Sequence, residues 1–329
     1  MFSPDYLISS DIVKNISTLE YAKAVVENLP LLPKWENQLK KDALVKSVYF
    51  GLKMQKYNFT VEKIKLVVDE IDIKDNFEIS NYIDCLKFSS EVAKKDIISE
   101  SDFKNMHFLS AKNILPSNRC GAYRNFTIPS AASTEEILAR VVSLIDFLNS
   151  KQAALEHPVI VAAIGYAQFL KIKPFENTNV VVANALAYSI LKMSKYDLKG
   201  FLSFEEFFSN DLFELENQLN QISTDNDFSA FIEFFVYALA SKAATIKENV
   251  ILLSKDSKVE KISKGAKLSV RQQRILEYLQ DYGYLSNKDF PKIFPSISED
   301  SVLRDLKFLI SNGFVEKKGR TKSSRYELK

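Results

Sequence analysis

The chain has 329 residues, 46% of them apolar and 26% charged, with a formal net charge of +2. That is an ordinary composition for a protein able to bury a core without disulfides or structural metals. Only eight glycines and two histidines are present, which argues against a Gly-rich phosphate cradle, a His-based zinc site or a His-rich catalytic centre, and for a helical protein.

Cys85 and Cys120 are far apart and form no zinc-ligand or redox spacing, so both are expected as reduced thiols in a cytoplasmic protein. No basic segment followed by an apolar run opens the chain, so no signal peptide is expected. The longest uncharged stretches, 158–170 and 177–191, fall short of the roughly 18 apolar residues a membrane helix needs, so no membrane contact is expected.

In chain order, residues 35–56 carry apolar Leu39, Leu44, Val45, Val48, Tyr49 and Leu52 at helical spacing. Thr60 is placed to cap a helix bearing Ile64, Val67, Val68 and Ile71. Residues 80–95 predict another helix. Ser133 and Glu136 have the spacing of a capping box for a helix through Leu148. Residues 157–170 and 179–193 are apolar on nearly every side and predict central buried helices. Residues 204–222 and 228–253 predict two more. The aromatic stretch 201–213 reads as core, and His107 and His157 read as capping or core-edge residues. Residues 113–130 form the one long irregular stretch, in which 123–128 predicts a short strand or flap.

A polar, Lys-rich linker is expected over 256–267, followed by a module over 268–329. There Ser269 caps a helix to Tyr282 with Gly283 after its end, Ser286 caps a short helix, and Ser298 caps a third helix that ends at Gly313. Two strands follow, at 314–317 and 324–328, joined by the turn 318–323. Three helices and a basic hairpin make a winged helix-turn-helix. Residues 264–329 hold 14 Lys/Arg against 8 Asp/Glu, leaving 30 against 34 in the rest, so a basic module follows an acidic body. Ser298, Ser301, Arg304 and Lys307 on the third helix, with Lys317, Lys318, Arg320, Lys322 and Arg325 on the hairpin, are the candidate DNA contacts. The alternative is a winged helix used for intramolecular packing or homodimer contacts, and Asp300 and Asp305 on the same helix count on its side.

Between the two apolar helices lies Lys173-Pro174-Phe175-Glu176-Asn177-Thr178-Asn179-Val180-Val181. A tight helix-to-helix turn capped by Asn177 or Thr178 is one reading. The N-terminus of the second helix also leaves free N–H groups suited to an anion. The segment resembles the signature of the Fic/Doc (Fido) family, His-Pro-Phe-x-Asp/Glu-Gly-Asn-Gly/Lys-Arg between two buried helices. His157-Pro158, Ala163, Gln168, Phe169 and Ile172 resemble the family's preceding helix. Cys120-Gly121-Ala122-Tyr123-Arg124 resembles its Gly-x-Tyr-Arg element, Met106-His107 its Leu-His pair, and residues 227–235 its final helix.

The resemblance implies a mainly α Fic-like bundle with a small flap over residues 1–255, divided into N-terminal helices (1–100) and a core (101–255). It also implies transfer of AMP from ATP to a protein hydroxyl, with Mg²⁺ on the phosphates. The motif departs from that pattern where the chemistry lies. Lys173 stands for the proton-accepting His, and a Lys near its usual 10.4 is protonated at neutral pH. Asn177 stands for the metal-binding acid, with Glu176 next to it as the only substitute, and a neutral amide is a poor Mg²⁺ ligand. Thr178 and Val180 stand for the glycines, and Val181 for the Arg that grips phosphate.

Only Pro174, Phe175 and Asn179 match. Thr178, Asn179, Tyr123 and Arg124 are the nucleotide-binding candidates. The family's inhibitory Ser/Thr-x-x-x-Glu-Gly/Asn helix is matched by Lys46, Ser47, Phe50 and Gly51, and only the glycine agrees. The expectation is therefore a catalytically silent, bacterial-type Fic-like protein that needs no cofactor and whose winged helix binds DNA. A partner protein at the old cleft is a further reading. The alternative is an enzyme that transfers AMP through a non-standard loop, using ATP and Mg²⁺.

Overall fold

The computed structural model describes residues 2–71, 76–95, 97–222, 226–263, 268–295, 297–319 and 324–329. The chain divides into two compact units. The first comprises Met1–Asn28 and Pro33–Glu248, and the second Leu29–Leu32 and Asn249–Lys329.

The first unit is helical. It holds α1 (Ser10–Asn28), α2 (Pro33–Met54), α3 (Val61–Val68), α4 (Phe77–Val92), α5 (Glu100–Ala111), α6 (Ile137–Leu148), the single turn α7 (Lys151–Leu155), α8 (Pro158–Ile172), α9 (Asn179–Met193), α10 (Glu205–Asn210), α11 (Leu212–Gln221) and most of α12 (Ser229–Ser263). Helices α8 and α9 pack on each other at its centre, with α4 and α5 against α9 and α6 against α8. Every α8 residue from Val159 to Leu170 is buried, as is α9 from Val181 to Leu191, as their all-round apolarity requires.

Side-chain caps set several ends. Thr60 accepts the Lys63 amide at 3.2 Å, and His157 accepts the Val159 amide at 3.3 Å. Phe204, Phe208, Phe231, Phe235 and Tyr166 form a buried aromatic cluster, so the stretch 201–213 does supply core. Phe213, 80% exposed, is the departure from that reading.

Four expectations need correction. The capping box of Ser133 and Glu136 does not form. Residues Thr134–Glu136 make a 3₁₀ turn before α6, and the Glu136 amide bonds to the Ser133 carbonyl at 3.1 Å instead of its hydroxyl. The helix expected over 204–222 breaks at Asp211, whose carboxylate caps α11 by accepting the Glu214 amide at 2.9 Å. The strand expected over 123–128 is a single bridge, Tyr123 to Phe175. The stretch 256–267 is helical as far as Ser263, as part of α12, and 264–267 lie outside the described residues. Over Ser229–Lys255, α12 is long and apolar enough to cross a membrane by length and composition, with 44% of its most apolar window buried inside the protein. Charged residues interrupt this run, so it does not stand out as an uncharged stretch in the sequence.

The second unit carries α13 (Val270–Tyr282), strand β1 (Tyr284–Ser286), α14 (Phe290–Ile293), α15 (Glu299–Ser311) and strands β2 (Val315–Lys318) and β3 (Arg325–Leu328). The sheet order is β1-β3-β2, antiparallel throughout, with Leu285 opposite Tyr326 and Lys317 opposite Tyr326 on the other side. Strand β1 was not anticipated; three residues are too few to show a period. Ser269 and Gln272 make a full capping box, and Gly283 takes φ 80° after α13, a conformation that suits glycine. At α15 the Ser298 hydroxyl meets the Ser301 hydroxyl at 3.0 Å and makes no cap bond to backbone. Ile275, Leu276, Leu279, Val302, Leu306 and Leu309 are buried in this unit's own core.

Candidate functional site

The loop between α8 and α9 is built from three backbone decisions. Pro174 disfavours helical geometry at the residue before it, and Lys173 leaves α8 in the left-handed region at φ 44°, ψ 64°. Thr178 is left-handed as well, at φ 51°, ψ 17°, which a branched Cβ resists. Asn179 then closes the loop on itself. Its Oδ1 accepts the Phe175 amide at 3.0 Å and its Nδ2 donates to the Phe175 carbonyl at 2.8 Å.

The Phe175 ring is fully buried. It stacks on His107 at 4.1 Å and 6° and tilts against Tyr123 at 5.5 Å. His107 is completely buried, not at the core edge. Its Nδ1 accepts the Gly121 amide at 2.9 Å, which places the proton of the neutral ring on Nε2. Burial lowers its pKa to about 4, and Asn177 beside the ring offsets this in part. Neither His107 Nε2 nor Asn177 Oδ1 has a partner at hydrogen-bond geometry. The ring is therefore neutral at physiological pH.

Arg124 lies across the same loop, 4% exposed. Its Nε donates to the Lys173 carbonyl at 2.7 Å, Nη1 to Phe126 at 2.6 Å, and Nη2 to Ala132 at 2.5 Å and Ile172 at 3.3 Å. Its backbone amide donates to the Pro174 carbonyl at 2.9 Å. A cation at the C-terminus of α8 satisfies carbonyls that the helix leaves open and complements its dipole. Tyr123 donates to Glu100 at 2.9 Å, and the Thr178 hydroxyl meets that of Ser110 at 2.8 Å. Glu176 accepts two bonds from Arg119, at 3.0 and 3.2 Å. By contrast, the backbone amides of residues 177–181 donate to no protein acceptor among the described residues.

The helical fold recurs in known structures. A Fic-family protein of Desulfovibrio desulfuricans superposes over 100% of this chain and 98% of its own, with a TM-score of 0.63 and 17% identity. A Fic-domain signalling protein of Bacteroides thetaiotaomicron covers 75% of this chain and 98% of its own, with a TM-score of 0.57 and 20% identity. Fic-1 of C. elegans covers 74% of each chain, with a TM-score of 0.60 and 15% identity. The body has the Fic fold. No protein-family model and no curated protein matches the sequence.

Within the Fic fold, the four nucleotide-binding candidates do come together, but as parts of the loop's own support. Arg124, Tyr123, Asn179 and Thr178 all direct their polar atoms to protein partners. The donor set does not fit Mg²⁺: Asn177 offers a neutral, buried oxygen, and the Glu176 carboxylate is held by Arg119. Val181 is buried where a phosphate-gripping Arg is expected. Lys46, Ser47, Phe50 and Gly51 lie on α2. Lys46 is exposed, and Ser47 is buried with its hydroxyl 3.0 Å from that of Tyr188. The Phe50 ring packs on Tyr49. Arg119, Ser110 and Glu100 escaped the sequence reading, since no spacing ties them to the loop they support.

The candidate DNA contacts sit in the second unit. Arg304 and Lys307 are exposed on α15 and line, with Lys317, a groove of about 580 Å³ between that helix and the β2–β3 hairpin. Arg304 folds towards the Ser301 hydroxyl, at 3.3 Å. Lys318 pairs with Glu327 and Glu316 at 2.7 and 3.2 Å, and Arg325 lies over the Tyr284 ring at 4.5 Å. Arg320 and Lys322 lie outside the described residues. Asp305 is buried against Arg271 and Gln272, so it does not oppose an anion at the groove.

Proposed function

We propose that this chain is a cytoplasmic regulatory protein whose residues 268–329 act as a DNA-binding winged helix and whose Fic-fold body does not transfer AMP. The DNA reading rests on the groove of α15 and the hairpin, where Arg304, Lys307 and Lys317 outnumber the one carboxylate on the lining, Asp300, and Asp305 on the same helix is turned into the core. Such cations neutralise phosphates and release counterions. In fluorescence anisotropy with a random-sequence duplex, affinity is expected to fall steeply between 50 and 200 mM salt, by about 0.9 power per phosphate contact. Replacing Arg304, Lys307 and Lys317 by Ala is expected to flatten the salt slope by roughly two to three. No binding at low salt, or an unchanged slope in the triple variant, refutes the reading.

The silence of the body rests on the loop chemistry: Lys173 in place of a proton acceptor, no free carboxylate, and Val181 in place of a phosphate fork. The backbone amides of residues 177–181, unpaired among the described residues, favour one competing reading, a nucleotide held by backbone alone. Incubation with labelled ATP and Mg²⁺ separates the two. No label is expected on the protein or on added cell extract, and Lys173→His alone is expected to leave that result unchanged, because Asn177 and Val181 remain. Label transfer by the natural chain, or after that one substitution, overturns the proposal.

A further inference from the structure

The C-terminal end of helix α9 borders a different site. At 1.5 Å per residue, Lys192 lies about 20 Å along the helix from Thr178, so its surroundings are separate from the loop described above. There α2, α4 and α9, with the segment after α9, line an open cavity of about 470 Å³. Its walls are aliphatic, from Ala43, Leu44, Leu86 and Leu202. Its polar floor is fixed: the Ser47 hydroxyl lies 3.0 Å from that of Tyr188, which donates to the fully buried Glu205 at 2.8 Å.

The cations are the decisive feature. Lys40, Lys87, Lys192 and Lys199 line the cavity against one carboxylate, Asp197. Lys40 is already paired with Glu36 at 2.7 Å. Lys192 is half-buried, and its ammonium donates only to the neutral hydroxyls of Ser89 and Ser90, at 3.0 and 2.7 Å. An ammonium has three donors, so one remains without a protein acceptor. Burial lowers its pKa, and the charges of Asp197 and Glu205 at longer range offset this in part. Among the described residues Lys192 and Lys87 make no ion pair. A partly buried charge without a counterion is costly, and here it faces space large enough for one.

The lip of the cavity is conformationally unusual. Leu198, Lys199 and Gly200 have consecutive φ values of 53°, 61° and 82°, a left-handed turn that two side-chain-bearing residues adopt against their steric preference. The turn is closed by Gly200 and Leu202 amides on the Asp197 carbonyl, at 3.0 and 3.2 Å, and it sets Lys199 at the mouth. Backbone strain of this kind concentrates at binding sites.

We propose that this cavity binds a small organic anion with an apolar body, a carboxylate or a phosphate monoester on a hydrocarbon or aromatic frame. The head group pairs with Lys192, with Lys87 and Lys199 beside it, and the body lies on Leu44, Leu86 and Leu202. The inference is independent of the DNA reading.

Calorimetry on the full chain tests it with three probes of one frame: 1-naphthyl phosphate, 1-naphthoate and the neutral 1-naphthalenemethanol. At least one anion is expected to bind with one-to-one stoichiometry, and the alcohol at least tenfold more weakly. Which anion binds better identifies the head group. Lys192→Met is expected to weaken the anion tenfold or more with the melting temperature retained, and Leu44→Trp to block it by filling the cavity. Lys87→Glu, at an exposed position, gives the same charge readout with no buried group altered. The proposal fails if neither anion binds up to about 1 mM, if the alcohol binds as well as the anions, or if Lys192→Met and Lys87→Glu both leave anion affinity unchanged.

Discussion

Arg124→Met is expected to lower the stability of the Fic-fold body by about 3–5 kcal/mol, because it strips donors from four carbonyls, those of Ala132 and Ile172 at buried positions, that have no other hydrogen-bond donor among the described residues. The guanidinium reaches four carbonyls, on Ile172, Lys173, Phe126 and Ala132. Two of these belong to the end of α8 and its first loop residue, and two to the segment that crosses the loop. One side chain therefore ties the irregular stretch to the central helix. Met retains much of the volume but donates nothing. For a unit of this size each kcal/mol corresponds to roughly 2–4 °C in melting temperature, so a drop of about 10 °C is expected in a thermal scan. Arg124→Lys is expected to recover only a minor part, since one ammonium cannot serve carbonyls arranged around a planar fork. The same variants separate this structural role from the nucleotide-binding role that the family resemblance suggested. A ligand-gripping Arg124 predicts an unchanged melting temperature and lost ATP affinity, and that outcome would sink the structural role.

The central helices were legible because their signal is local. Residues 157–170 and 179–193 are apolar on all sides, and the structure buries them accordingly. The loop between them was legible only as a string of residue types. That string indicated which chemistry was missing; it held no sign of what each side chain does instead. Arg124 lies in a stretch without hydrophobic period, and its partners are main-chain oxygens, which leave no mark in a sequence. Arg119 and Glu176 are 57 positions apart, and Thr178 and Ser110 are 68 apart, so no helical or strand spacing relates them.

The low glycine content also misled in one respect. It suggested few tight turns, yet Lys173, Thr178, Leu198 and Lys199 all take left-handed conformations without glycine. Tertiary contacts hold them there. Thr178 is braced by Ser110, and Lys173 by its amide bond to Phe169 and by Arg124 on its carbonyl. The loop thus keeps a tight-turn backbone while carrying side chains that such a backbone disfavours. Ser133 failed as a cap for a related reason, since a capping pattern names candidate acceptors and the geometry of the first turn decides among them.

Gly51→Ala is the second substitution with a large expected effect. By helix propensity alone it favours the folded state by about 1 kcal/mol, because Gly51 lies within α2. Packing reverses the sign. An added Cβ would come within 2.0 Å of the Tyr82 hydroxyl oxygen and 2.3 Å of the ring carbon that bears it. Tyr82 has no room to retreat: it is 1% exposed, accepts from Asn184 at 2.7 Å and donates to Glu205 at 3.4 Å. Overpacking at a site that cannot relax costs about 1–3 kcal/mol or more, and displacing Tyr82 would also loosen the buried Asn184 and Glu205. A net loss of about 3 kcal/mol is expected in urea unfolding. Tyr82→Leu removes both the ring and the hydroxyl, so in that background Gly51→Ala is expected to become nearly neutral, with a coupling of at least about 2 kcal/mol in the double-mutant cycle. Additive losses would show that the clash is not the cause. Gly51 is the one residue of the inhibitory-helix pattern that this sequence retains. A coupling to Tyr82 explains it by close packing of α2 on α4, so Gly51→Ala should unfold the protein more readily without conferring AMP transfer on the molecules that remain folded.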